Sequence, residues 1–144
     1  MPSPSQKILD NIAGVLRELA SLQHVAVGEF TDCPAMPRAA VQLEGVESLI
    51  ADDSANARWL RVKCRIVIQT RSDGNSAALA RAQELCQSAA DKLLQDPHRA
   101  GLACDIPPGR ATEIGELRLS KDVRRPVCEL SLSVRCHLEL REGN

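Results

Sequence analysis

Aromatic side chains are almost missing from this sequence: Trp59 and Phe30 are the only two, and there is no tyrosine. That removes the usual platform for single-stranded nucleic acid, where bases stack on aromatic rings, and leaves few aromatic anchors for a protein interface. A surplus of charge is missing too. The 18 basic and 19 acidic residues leave a formal net charge of −1, whereas a nucleic-acid-coating domain shows a basic excess. No apolar run approaches the ~18–20 residues of a membrane helix, so no membrane partner is expected. Met1 to Gln6 shows no basic segment running into an apolar stretch, which points to synthesis and residence in the cytoplasm.

The signatures of several chemistries are absent as well. Neither G-x-G-x-x-G nor G-x-x-x-x-G-K occurs, so no nucleotide cradle and no cofactor is expected. The six cysteines (Cys33, Cys64, Cys86, Cys104, Cys128, Cys136) lie 31, 22, 18, 24 and 8 residues apart, whereas zinc ligands come in close pairs. With no leader in view, reduced thiols filling a core are the expectation. Asp73-Gly74-Asn75 is only a fragment of a calcium loop, without its distant glutamate. The paired acids Asp52-Asp53 and Glu113/Glu116 could bind a cation, though Asp52-Asp53 sits in a polar loop, where solvated acids are the norm.

What is present is the pattern of one α+β domain over residues 1–144, with 44% apolar residues to build its core. Ser3-Pro4-Ser5-Gln6 reads as a capped helix start. Ile8, Leu9, Ile12, Val15, Leu16, Leu19 and Leu22 then recur at helical spacing, which predicts a helix over 4–22. Short strands are expected at 24–29 and 38–44, separated by a loop over 31–37 and followed by a polar loop or wide hairpin end over 45–56. Residues 58–70 alternate almost strictly: Leu60, Val62, Cys64, Ile66 and Ile68 face one way, and Arg61, Lys63, Arg65 and Gln69 the other, with Val67 as the exception. That period marks a half-buried strand. Ser72 to Ser76 is a turn with a built-in cap. A second helix to about Gln95 presents Leu79, Ala82, Cys86, Ala89, Ala90 and Leu93, and Asp96-Pro97 stops it.

A weak strand over 102–106 is broken by Pro107-Pro108-Gly109. A longer strand follows over 111–119, then a polar turn over 121–125. The final strand, 127–141, sends Leu130, Leu132, Val134, Cys136, Leu138 and Leu140 one way and Glu129, Ser131, Ser133, Arg135, His137, Glu139 and Arg141 the other. The element order is α-β-β-β-α-β-β-β, an antiparallel or mixed sheet packed against two amphipathic helices.

Two constellations carry functional weight. Arg61, Lys63 and Arg65 form a basic stripe, and Arg135, His137, Glu139 and Arg141 form the matching face of the last strand. Such faces keep a sheet soluble, or they serve as an oligomer interface or channel lining; mixed sign favours protein–protein register over DNA grip. The alternative chemistry is a Cys–His pair, Cys33 or Cys104 with His24 or His98, for which no local signature speaks.

The chain resembles the phage tail terminator family, the minor tail protein U-like and related tail-completion proteins, over roughly residues 4–141. The resemblance lies in the opening helix and in Pro37-Arg38-Ala39-Ala40-Val41 at a strand start. It continues through the long alternating strand and the second helix, which ends at Asp96-Pro97-His98-Arg99-Ala100-Gly101-Leu102. Pro108-Gly109-Arg110-Ala111-Thr112-Glu113 then leads into the closing strands, the last spanning Cys128 to Leu140. The resemblance implies a non-enzymatic subunit of a prophage or virion tail. It would form a homo-oligomeric ring, commonly a hexamer, that caps the tail tube and joins it to head-completion proteins. DNA would pass through without specific contact, and the polar strand faces would meet neighbours or line the lumen. A small-molecule binding module or enzyme using the Cys/His residues, and an accessory protein that binds double-stranded DNA, stand as the other readings.

Overall fold

The computed structural model describes residues 3–30, 35–49, 57–71, 77–105, 109–119 and 127–141, without the side chains of residues 57, 58, 77, 140 and 141. The elements are α1 (Pro4–Arg17), β1 (His24–Val27), β2 (Arg38–Leu49), β3 (Ala57–Arg71), α2 (Ala77–Leu94), β4 (Thr112–Leu119) and β5 (Val127–Arg141). The five strands make one mixed sheet in the order β1-β2-β3-β5-β4. β1 runs parallel to β2, and every other neighbouring pair is antiparallel. Strands β3 and β4 therefore run the same way with β5 between them, and α2 is the crossover that joins them.

α1 begins as the sequence predicts. Ser3 caps it, its Oγ accepting from Gln6 N–H at 3.1 Å, with Pro4 in the first turn. Gln6 does not close the capping box; its Nε2 donates to Asp10 Oδ1 at 2.9 Å instead. The helix is shorter than the expected 4–22. After Arg17 the chain tightens into i→i−3 turns, Leu19 N–H to Leu16 O and Leu22 N–H to Leu19 O, which keeps Leu19 and Leu22 against the core without further helix.

Both helices lie on one face of the sheet. Ile8, Leu9, Ile12, Ala13 and Leu16 of α1 meet Ala39 and Val41 of β2; Ala82, Leu85, Cys86, Ala89 and Leu93 of α2 complete the same core with Val62, Cys64, Ile66 and Ile68 of β3 and Leu130, Leu132, Val134, Cys136 and Leu138 of β5. The alternation of β3 and β5 thus separates a helix-covered face from an open one. Val67 sits on the open side between Ala40 and Ser131 and is buried despite its outward direction.

Two expectations fail. The polar segment after Glu44 is not a loop: β2 continues through Leu49, with a register shift between Leu43 and Gly45 that seats the extra residue. It pairs with the long β3, and its glutamates need only solvent on one side. Residues 102–105 are not a strand. They descend from a turn, with Ala103 N–H on His98 O and Cys104 N–H on His137 O. The cap at 72–76, the acids Asp52-Asp53, the turn over 121–125, Pro107-Pro108 and Cys33 lie outside the described residues.

Candidate functional site

The open face of the sheet gathers the side chains the sequence marked. Register sets Arg61 opposite His137, Lys63 opposite Arg135, Arg65 opposite Ser133 and Trp59 opposite Glu139 across β3 and β5. The interface residues proposed from the two separate strands are thus one surface. Arg141 stands at the end of β5 opposite Ala57.

Two cations directly opposite each other, Lys63 and Arg135, are unfavourable by themselves. The flanking strands supply the counter-charges. Glu47 of β2 takes Arg61 Nη1 at 3.1 Å and the Lys63 ammonium on its other oxygen. Glu113 of β4 takes Arg135 Nη2 at 3.2 Å. Across the sheet Glu47, Lys63, Arg135 and Glu113 give the sign order − + + −. Glu44 pairs with Arg65 Nη2 at 3.3 Å. Lys63, as hydrogen-bond donor first and charge second, holds the Glu47 carboxyl below its usual range. Further along, Gln69 bridges three strands, accepting from Arg38 Nε and donating to Glu129 Oε1, each at 2.8 Å. Arg38 also lies over the Phe30 ring, 4.4 Å from its centroid.

His137 departs from the exposed face expected of it: it is only 1% exposed. Its cover is the chain before β4. The ring packs on Gly109, where an added Cβ would come within 2.9 Å of His137 Cε1, and its backbone N–H donates to Ala111 O. Nδ1 lies 2.6 Å from Arg110 O, and Nε2 3.1 Å from Arg61 Nε. A carbonyl can only accept and a guanidinium N–H can only donate. The arrangement therefore selects the neutral imidazole with its proton on Nδ1, and the ring joins the β4 entry to the charged row.

Beside this row lies a shallow open groove of about 320 Å³, lined by Arg65, Arg118, Arg135, Ser131 and Ser133 with Glu44 and Glu116 at its rim and Gly115 in its wall. Gly115 is needed there, since a Cβ would fall 2.0 Å from Ser133 Oγ. The groove balances cations against acids and lacks the enclosed apolar walls of a small-molecule pocket.

Burial makes Cys64, Cys86, Cys104 and Cys136 poor nucleophiles. Burial pushes the Cys64 thiol up to about 12, with Cys136 and Glu44 adding to it, and the Cys86 thiol up to about 11, with Cys128 adding. Desolvation also raises the candidate Cys104, while a reactive cysteine needs the opposite shift. Among the described residues no group of His, Cys, Asp or Glu is placed to hold a metal, and no helix is long and apolar enough to cross a membrane.

Sequence reasoning missed the acids that complete the face. Glu47 stood in a segment read as loop, Glu44 was read as the last residue of a short strand, and Glu113 was paired with Glu116 rather than with a cation of the next strand. The usable signal was their spacing, which falls into strand register only once the bulge at Gly45 is known. No protein-family model and no curated protein matches the chain.

Proposed function

We propose that the chain is a non-enzymatic structural subunit of the phage tail-terminator kind, assembling with copies of itself into a ring, a hexamer in the resembling family, that caps a tail tube and joins it to the head. The observation that supports this reading is the open sheet face: four strands wide, uncovered by either helix, and laced by ion pairs of mixed sign. Mixed charges of this kind set register between protein surfaces. The same pairing suits a conduit. Each cation of the central stripe has an acid at hand, so the face offers DNA no continuous basic track and no salt-sensitive grip.

An enzyme built on Cys104 has less support, because its thiol is pushed away from the reactive form. The deciding experiment is electron microscopy of the purified protein, alone and mixed with isolated tail tubes that lack their terminator. The expected result is closed rings, or density capping the tube ends. Bare tube ends and no rings would sink the proposal.

A further inference from the structure

The sheet has two outer edges, and the described residues leave both open along stretches of equal length. β1 covers β2 only as far as Val41, the last bond being Gly28 N–H to Val41 O at 2.8 Å. From Gln42 to Leu49 no described strand lies beside β2. At the other end β4, eight residues long, has β5 on one side and no described strand on the other. Open edges invite pairing with another chain, and stable monomers blunt them with lysine, proline or a covering element. Neither stretch holds a lysine or a proline, and what blunts each is one register shift and a few charges. Each carries two half-exposed apolar residues: Leu43 and Val46 on β2, Leu117 and Leu119 on β4, all between 45% and 53% exposed. All four point to the helix-bearing side, because they stand opposite the core residues Cys64, Val62, Leu132 and Leu130.

We infer that the two edges are made for each other: β2 from Gln42 to Leu49 of one copy pairs with β4 of the next, and the sheet runs on from subunit to subunit. This rests on the ring reading and supplies its joint. β2 and β4 run in opposite directions, since three antiparallel pairings separate them. Copies arranged around an axis along the strands share strand direction, so the joint is antiparallel. Set with Leu43 beside Leu119, Val46 falls beside Leu117 and Glu44 opposite Arg118, a cation lining the groove. Apolar meets apolar on one face; on the other Glu44 meets Arg118, while Glu47 comes beside Glu116 with its charge already held by Arg61 and Lys63. The joint uses two different edges, so it is head-to-tail and builds a closed ring or an open filament rather than a symmetric pair.

The test uses Val46→Lys and Leu117→Lys, each adding a charge to one exposed edge position. Sedimentation of the native chain is expected to give a multiple of 15.6 kDa. Each variant alone is expected at the mass of one chain, with unchanged circular dichroism and melting. Mixed in equal amounts they are expected to give two-chain particles and nothing larger, because one variant keeps a sound β4 edge and the other a sound β2 edge. Leu43→Lys and Leu119→Lys repeat the design should either first variant fail to fold. If Leu117→Lys alone still associates, two β2 edges meet and the inference falls; if Val46→Lys alone still associates, two β4 edges meet, with the same consequence. A native oligomer indifferent to both variants overturns the edge joint and leaves ring assembly standing through another surface. A native monomer at every concentration overturns the edge joint, and with bare tube ends in the microscope it overturns the ring reading as well.

Discussion

The two faces of one sheet are built on opposite principles. The helix-covered face holds Val62, Cys64, Ile66 and Ile68 in a dry layer against α1 and α2. The open face, one residue along in each strand, holds Arg61, Lys63, Arg65 and Arg135 among glutamates and water. Burying a Leu or Ile side chain contributes roughly 1.5–3 kcal/mol, whereas an exposed ion pair contributes ~0–1 kcal/mol. Folding is therefore decided by the covered face. The open face is free of that constraint, and its ordered charges contribute little to stability.

The largest effect should come from the covered face. Ile66 is fully buried at the centre of β3, between Val41 and Leu132. Ile66→Ala is expected to cost about 2–5 kcal/mol, from lost burial and the cavity left behind. Urea unfolding should show a lower midpoint with an unchanged slope. A loss too small to resolve would mean that the helices do not pack on this face as described.

Arg99 breaks the rule that charge belongs to the open face, and so sharpens the comparison. It is fully buried on the helix side, in a left-handed conformation with φ 50°. Its guanidinium donates to Asn11 Oδ1 at 3.2 Å and to the carbonyls of Leu93 and Asp96 at and just after the end of α2, while Nε has no partner among the described residues. Burial lowers its pKa from the ordinary arginine range, with Cys136 and Asp96 acting against that shift. The charge is tolerated because it meets the negative end of the α2 dipole. Arg99→Met strands those carbonyls and should cost about 1–3 kcal/mol. Arg99→Lys should recover little of it, since a point charge cannot reach donors' positions fixed by a planar fork. A Met variant as stable as the parent would show that the carbonyls find other donors.

This arginine also marks where the sequence stopped being readable. Helical spacing from Ile8 to Leu16 and alternation in β3 and β5 are local patterns, each written within one element, so the two helices, the long strands and the division into two faces could be read directly. Arg99 sits in Asp96-Pro97-His98-Arg99-Ala100-Gly101, which looks like any polar turn; its burial comes from α1, almost ninety residues away, through Asn11. His137 looked like one more solvated residue in an alternating strand because its cover, Gly109 to Ala111, is supplied by a different segment. The extension of β2 to Leu49 was hidden by Glu44-Gly45-Val46-Glu47-Ser48, a polar composition that a strand can afford only at an open edge. Arg99 and His137 have environments set by distant parts of the chain, whereas the β2 extension, paired with the neighbouring β3, was hidden by its polar composition alone.

The smallest effect belongs to the open face. Glu47 is the acid shared by Arg61 and Lys63. Its carboxyl is held below the usual 4.5, first by the hydrogen bond from Lys63. A depressed folded-state value means the unfolded chain takes up the proton first as pH falls, so this contribution is present above pH 4.5 and fades as pH drops through the lower folded value. The group is open to solvent, and salt screens what remains. Glu47→Gln should leave the urea midpoint at pH 7 unchanged within error, and should make the midpoint slightly less sensitive to acid below pH 4.5. Self-association should respond more than stability does, because Lys63 and Arg135 then face each other with only Glu113 in balance. A Glu47→Gln chain that loses as much stability as Ile66→Ala would show that the charged face supports the fold itself, and the contrast between the two faces would collapse.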